Sequence, residues 1–396
     1  MRKSRRYLIA GIAFFYINIS QAAFSEWSGN VALEYRFFPQ EALSLEQGDS
    51  NFSLSLQPEY YYSWDDDNQS ITFEPFLRLD QRDSERTHGD IRELIYQRVS
   101  NNWELRAGIG KVFWGVTESQ HLVDIINQTD LVENTDTEDK LGQPMINLAL
   151  IRRQGTLDLF VLPGFRERTF PGSEGRLRTI PVVDTDNPIY ESSAEENHID
   201  WAIRWSQTIA SWDIGLSHFS GTTREPLFVP NADGSALLPV YNLIDQTGLD
   251  IQTYQGDWLL KLEAISRSGQ GDRFSAVTTG FEYTFVGAFG TAIDIGILGE
   301  YLFDERDELA LTPFEDDYLL GSRITWNDEQ STELLLGIIQ DADSSSRSFT
   351  IEASRRIGNS WRLELESRGF SNIERENFAF SFSRDDYIQV TLSKFF

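Results

Sequence analysis

Segment after segment of this chain alternates apolar and polar residues with a period of two, and that constrains its fold more than any other feature. "NVALEYRF" puts Val31, Leu33, Tyr35 and Phe37 on one side of an extended strand and Glu34 and Arg36 on the other. "FSLSLQPEYYYSW" repeats the pattern with Phe52, Leu54, Leu56, Tyr60, Tyr62 and Trp64. "IDWAIRW", "TAIDIGILGEYLF" and "WRLELES" do so with Ile199/Trp201/Ile203/Trp205, Ile293/Ile295/Ile297 and Trp361/Leu363/Leu365. A period of two specifies strands rather than helices. Their length of about ten residues is what a tilted strand needs to cross a bilayer.

The connections alternate as well. Short polar turns at 65–68, 100–102, 152–155, 208–211, 255–257, 327–330 and 358–360 take turns with longer stretches near 39–50, 81–89, 111–144, 162–195, 221–243, 304–314 and 370–385. Brief turns at one end and long loops at the other are the pattern of an outer-membrane barrel. Strands are expected to start near 28, 51, 69, 90, 102, 145, 155, 196, 211, 244, 257, 272, 291, 315, 331, 347, 360 and 386, which makes an all-β antiparallel barrel of eighteen strands, with sixteen left open. Trp64, Trp103, Trp201, Trp205, Trp212, Trp258, Trp326 and Trp361 are expected at the turn-side ends, as an interfacial aromatic girdle requires. A soluble β-sandwich or β-helix would bury the apolar faces and has no use for such a girdle. The composition agrees with a barrel: 13% of residues are aromatic although only 40% are hydrophobic.

The N-terminus has four cations (Arg2, Lys3, Arg5, Arg6), an apolar run from Tyr7 to Ile19, and small residues at Ser20, Ala22 and Ala23. This reads as a signal peptide over 1–23, followed by one barrel domain over 24–396. The apolar run is too short for a spanning helix. The formal charge of −28 becomes about −32 without the leader, which argues against a nucleic-acid partner. There is no cysteine, so neither disulfides nor thiolate metal sites contribute. Strands are expected almost directly after Ala23, leaving no stretch for the plug of a siderophore receptor or the N-terminal hatch of a hydrophobic-compound channel.

Two segments resemble known proteins. "YIQVTLSKFF" resembles the C-terminal assembly signal of Gram-negative outer-membrane barrels through Ile388, Val390, Leu392 and Phe396, and departs from it at Lys394. "WGVTES…DIINQTD", with Trp114, Gly115, Asp124, Asn127 and Asp130, is similar to porin-like proteobacterial outer-membrane proteins of undefined substrate. These resemblances imply a location in the outer membrane with both termini periplasmic. They also imply contact with outer-membrane lipids, lipopolysaccharide and the barrel-assembly machinery, and a monomer or homotrimer.

The faces opposite the apolar ones would line the lumen with Glu34, Glu59, Glu74, Glu104, Asp200, Asp213, Asp294, Glu333, Glu352, Glu364 and Glu366, interleaved with Arg36, Arg78, Arg106, Arg204, Lys261, Arg323, Arg356, Arg362 and Arg368. So many charges call for a water-filled interior, and the excess of acids weakly favours cations. The longest connection is the third outer loop, which resembles a porin constriction loop by position. Thr117 and Gln120 suggest a capping box, with Leu122, Ile125 and Ile126 at helical spacing. A short helix there is expected to present Glu118, His121, Asp124 and Asp130 to the pore, or else to cap the rim. Arg166, Arg168, Arg176 and Arg178 form a basic patch in the fourth outer loop, expected to pair with the acidic third.

None of His88, His121, His198 and His218 stands in a recognisable lipase or protease motif, and no spacing is diagnostic of a metal. No cofactor, metal or enzyme activity is expected. The expected function is passive passage of small hydrophilic solutes or ions. The alternative is a closed barrel serving adhesion, assembly or lipid enzymology.

Overall fold

The structure, a computed structural model, describes residues 23–375 and 377–396; the expected leader lies, but for Ala23, outside them. The chain forms β1 (Phe24–Phe37), β2 (Ser50–Trp64), β3 (Gln69–Asp80), β4 (His88–Ser100), β5 (Trp103–Gly110), β6 (Gln143–Arg152), β7 (Gly155–Pro163), β8 (Val182–Val183), β9 (Ile189–Tyr190), β10 (Ile199–Ile209) and β11 (Trp212–Thr222). It continues with β12 (Leu227–Pro230), β13 (Ala236–Tyr241), β14 (Leu243–Gln255), β15 (Trp258–Ser268), β16 (Phe274–Phe285), β17 (Asp294–Asp304), β18 (Asp316–Thr325), β19 (Glu333–Asp341), β20 (Arg347–Ile357), β21 (Trp361–Ser371) and β22 (Tyr387–Phe395).

All of these except β8, β9, β12 and β13 belong to one 18-stranded sheet. Each strand pairs antiparallel with its neighbours, and β22 pairs back onto β1 through Leu33↔Leu392, Tyr35↔Val390 and Phe37↔Ile388. The sheet is therefore a closed barrel of eighteen strands, and sixteen is excluded. Closure leaves no edge, the condition for placing a sheet in lipid. The four short strands make a separate sheet from the fourth and fifth outer loops, with β12 and β13 antiparallel and β8 and β9 parallel to β13.

Register puts the expected faces where the alternation says. Leu33, Tyr35, Phe37, Leu54, Leu79 and Leu320 are exposed on the outside, while Glu34, Arg36, Ser53 and Ser55 are buried within. The turn-side ends carry the tryptophans expected there with one exception: Trp201 lies near the start of β10, by the fourth outer loop, because β10 begins at Ile199. Lys394 stands on the outer face opposite Val31 and Trp361. Its ammonium lies 5.1 Å from the Trp361 ring centroid and donates to Ser360 Oγ, so the cation stays at the rim rather than in the apolar band.

The expected helix in the third loop does not form; residues 111–142 run through turns and bends with isolated bridges. Thr117 does not cap it. Its hydroxyl bonds Gln120 O (2.6 Å) and Glu263 Oε1 (2.8 Å). The amides a first helical turn would leave free are taken instead by carboxylates of the wall.

The last residue also joins the seam, since the Phe396 amide donates to Gly29 O at 3.1 Å. Phe396→Ala is expected to lower the yield of folded barrel in the outer membrane, read as the heat-modifiable band on unboiled gels; wild-type yield would contradict this.

Candidate functional site

The third loop leaves β5 and folds into the barrel. Leu122, Val123, Ile125 and Ile126 pack among Ile95, Met145, Phe160, Ala202, Phe219, Ile244, Ile265 and Ala276. Those wall residues all come from the inward faces of β4, β6, β7, β10, β11 and β14–β16, so the loop lies in the lumen and does not cap the rim. Trp114 meets Phe160 edge-on at 5.7 Å and lies under the Arg204 guanidinium, 5.1 Å from its ring centroid. Gly115 is required by close packing: a Cβ there would sit 2.7 Å from His121 Nδ1. Asn127 accepts from the Val112 amide (2.8 Å) and donates to Gly110 O (2.9 Å) and Leu141 O (2.8 Å), tying both ends of the loop together.

At one extremity the loop reaches the far wall. Glu263 of β15 accepts from the amides of Val116 (2.7 Å), Thr117 (3.1 Å) and Val123 (3.2 Å). Glu300 of β17 accepts from those of Glu118 (2.7 Å) and Ser119 (2.9 Å). The Glu118 carboxylate then meets Arg323 of β18 (2.7 Å) and Lys261 of β15 (3.7 Å). His121 sits between Glu138 (2.8 Å) and Glu263 (3.8 Å). Burial alone would depress its pKa, but the two carboxylates raise it from 6.5 to about 10. It is therefore an imidazolium at neutral pH.

At the other extremity the loop binds the near wall. Asp130 is fully buried against Arg92 (2.6 Å) and Thr169 Oγ1 (2.6 Å). Glu133 takes Arg78 (2.6 Å) and His88 (2.7 Å). Burial pushes its carboxyl upward, yet the hydrogen bond with His88 and the Arg78 and Arg86 guanidiniums hold it at about 2. His88, Asp130 and Glu133 come close enough together to suggest a metal site, but guanidiniums already occupy both carboxylates. Farther on, Asn134 and Asp136 reach Glu366 and Arg368 of β21. Burial raises Asp136 to about 7 and Asp139 to about 6.

Of the four loop residues singled out from sequence, then, Glu118 and His121 meet the far wall and Asp130 is enclosed at the near one. Asp124 is buried against Lys140 (3.1 Å), and burial raises its pKa. The wall residues all face inward. Arg78 meets Glu34 (3.1 Å), Arg36 meets Gln389 (2.7 Å), Arg204 grips Asp250 with both terminal nitrogens (2.6 and 2.8 Å), and Arg362 meets Glu364 (3.2 Å). Glu74 faces Lys111 (3.5 Å), Arg106 lies opposite Asn147, and Glu104 lies opposite Ala149. Sequence reasoning missed Glu263, Glu300, Arg86 and Arg92, although Glu263 and Glu300 occupy inward positions of well-marked strands.

The basic patch of the fourth loop does not pair with acids of the third. Arg166 binds Asp90 (2.8 Å) and Arg176 binds Asp385 (2.6 Å), on β4 and in the last outer loop. Arg168 touches the third loop only through the neutral Gln128 (3.1 Å). Its chain direction after β7 carries the arginines across to those partners.

Outside the loop remains a chamber of about 620 Å³, lined among others by Glu118, His121, Asp136, Arg306, Leu319 and Phe370. No protein-family model matches the chain, and no curated protein matches it in sequence. Solved structures do. A BenF-like porin from Pseudomonas fluorescens aligns over 94% of this chain and 98% of its own, at 9% identity and a TM-score of 0.55. A mutant of the Rh. blastica porin aligns over 94% and 100% at 10% identity, with a TM-score of 0.46. The fold is that of an outer-membrane porin.

Glu263→Gln should weaken the far anchor. Hydrogen bonds to a charged group are worth about 1.5–3 kcal/mol, so amide exchange at Val116, Thr117 and Val123 should quicken roughly tenfold or more, with β15 unchanged. The His121 contribution has the sign of a raised base: it is complete below 6.5 and is lost as pH rises through about 10. Protection of residues 116–123, corrected for intrinsic exchange, should thus be greatest below pH 6.5, decline progressively between pH 6.5 and about 10, and level off above that.

Proposed function

We propose that the protein is a passive, porin-like channel for small hydrophilic solutes or ions, and that its third loop forms the constriction. The carrying observation is that this loop spans the lumen, anchored to β15, β17 and β18 at one extremity and to β3, β4 and β21 at the other. Glu118 and His121, with Arg323 and Lys261, border the passage, while Asp124 and Asp130 hold the loop in place. Mixed charges facing one another across a narrow, wet gap order water and screen solutes by charge and dipole. The chain is read as an outer-membrane protein with both termini periplasmic, nine connections outside and eight inside, delivered by an N-terminal leader and the assembly machinery. Monomer and homotrimer both fit this reading.

Deleting 117–139 should raise single-channel conductance in planar bilayers several-fold, provided the variant keeps the barrel's gel shift; an unchanged conductance in a folded variant sinks the constriction role. Selectivity should respond to pH through Asp136 and Asp139. Both are neutral well below their raised values and ionise by pH 8, so the cation preference in reversal-potential measurements should grow between pH 5 and 8. Asp136→Asn should flatten that rise.

A further inference from the structure

The third loop packs on one apolar cluster of the inner wall. Over β4, β6, β7, β10, β11 and β14–β16 its packing residues are Leu122, Val123, Ile125 and Ile126. Over β17–β19, Leu298, Leu302, Leu319, Leu335 and Ile339 form a stripe with Phe314, and no third-loop residue belongs to that cluster among the described residues. Leu298, Leu319, Leu335, Ile339 and Phe314 face the chamber. Leu298, Leu302 and Leu319 are buried within this cluster, whereas Leu335, Ile339 and Phe314 are half-buried and give the chamber an apolar edge, the kind of lining a small-molecule pocket needs.

The stripe has a charged end. Asp317 and Asp341 stand opposite each other across β18 and β19, one inward step from Leu319 and Ile339, and both line the chamber. Asp317 is 3% exposed and its Oδ2 has no hydrogen-bond partner. The charged groups that act on it most strongly are acidic, namely Glu315, Asp341 and Asp316. Glu315, just beyond, is likewise surrounded by Asp341, Asp307 and Asp304, and its Oε2 is also unpartnered. Asp341 Oδ1 accepts from the amides of Asp343 (2.8 Å) and Ser344 (2.7 Å), and its Oδ2 from the Ser344 hydroxyl (2.8 Å).

Buried carboxylates with no counter-charge are costly, and a ligand cation relieves that cost. The nearby guanidiniums do not supply it, since Arg306 is bound to Asp304 and Arg368 to Glu352. Arg168, Arg178 and Arg347 face the chamber without a carboxylate, but they bond to Gln128, to the carbonyls of Ser173 and Thr179, and to Gln340.

We propose that this side of the chamber is a binding station for organic cations that carry an apolar body. The ammonium group lies at Asp317 and Asp341, and the body lies along Leu319, Leu335 and Ile339. A chamber of about 620 Å³ is in the range that holds a small organic molecule. The proposal deepens the channel reading by naming the solute class, but binding itself does not require conduction.

The test is calorimetric titration of the detergent-solubilised full chain with benzylammonium, and separately with methylammonium, benzyl alcohol, phenylacetate and calcium chloride. Benzylammonium should bind at least about tenfold more tightly than methylammonium or benzyl alcohol, because each lacks one half of the recognised chemistry. Asp317→Asn and, independently, Leu335→Ser should each weaken it by about tenfold while the barrel keeps its gel shift. Equal affinity for methylammonium, tighter binding of phenylacetate or calcium, or affinity unchanged in both variants would overturn the station. Potassium chloride currents recorded from the same preparation keep the two readings apart: absent current steps count against the channel, and absent benzylammonium binding counts against the station.

Discussion

Everything in this molecule follows from closing the backbone hydrogen-bond ladder on itself. In hydrocarbon an unpaired amide or carbonyl has no water to turn to, so a sheet survives there only if its last strand pairs with its first. The β22–β1 register does this, with Leu33 opposite Leu392 and Tyr35 opposite Val390. Once the ladder is closed, the pleat sorts side chains without further instruction, apolar outward and polar inward, and the interior inherits its charges as a consequence.

Those inward charges then determine what fills the barrel. Glu263 is fully buried, and a carboxylate there needs donors. It finds them in the backbone of the third loop, as Glu300 does with Glu118 and Ser119. The loop in turn needs acceptors, because its segment 116–123 makes no helix. Wall and loop satisfy each other, and the apolar contacts of Val123 and Ile126 dry the junction so that these bonds are not contested by water. The Trp-Gly and Asp-x-x-Asn features are thereby explained as anchors: Trp114, Gly115 and Asn127 fix the loop, and none is left free to act on a solute.

The strands were legible because alternation is local, and the observed starts lie within four residues of those read from the sequence. The third loop's path was not. Thr117, Gln120, Leu122, Ile125 and Ile126 have the spacing of a capped helix, but Thr117, Glu118 and Leu122 bond to β15, β17 and β14, more than a hundred residues away. Local propensity is a weak prior against three buried carboxylate–amide bonds. The basic patch misled for the same reason, since the partner of Arg176 is Asp385, in a loop that only barrel closure brings near.

Pairing, rather than counting, also determines the field inside the barrel. The inward residues read from the sequence hold more acids than bases, yet Glu34, Glu133, Asp200 and Asp250 are each held by a guanidinium and leave little net charge. The field in the lumen is set by the remainder. At Asp317 and Asp341 that remainder is negative and borders an apolar stripe; at Glu118 it is neutralised by Arg323 and Lys261. A solute moving inward would therefore meet selection by charge and apolar contact first and selection by size second, because the station lies at the outer ends of β18 and β19 and the loop crosses deeper in the lumen.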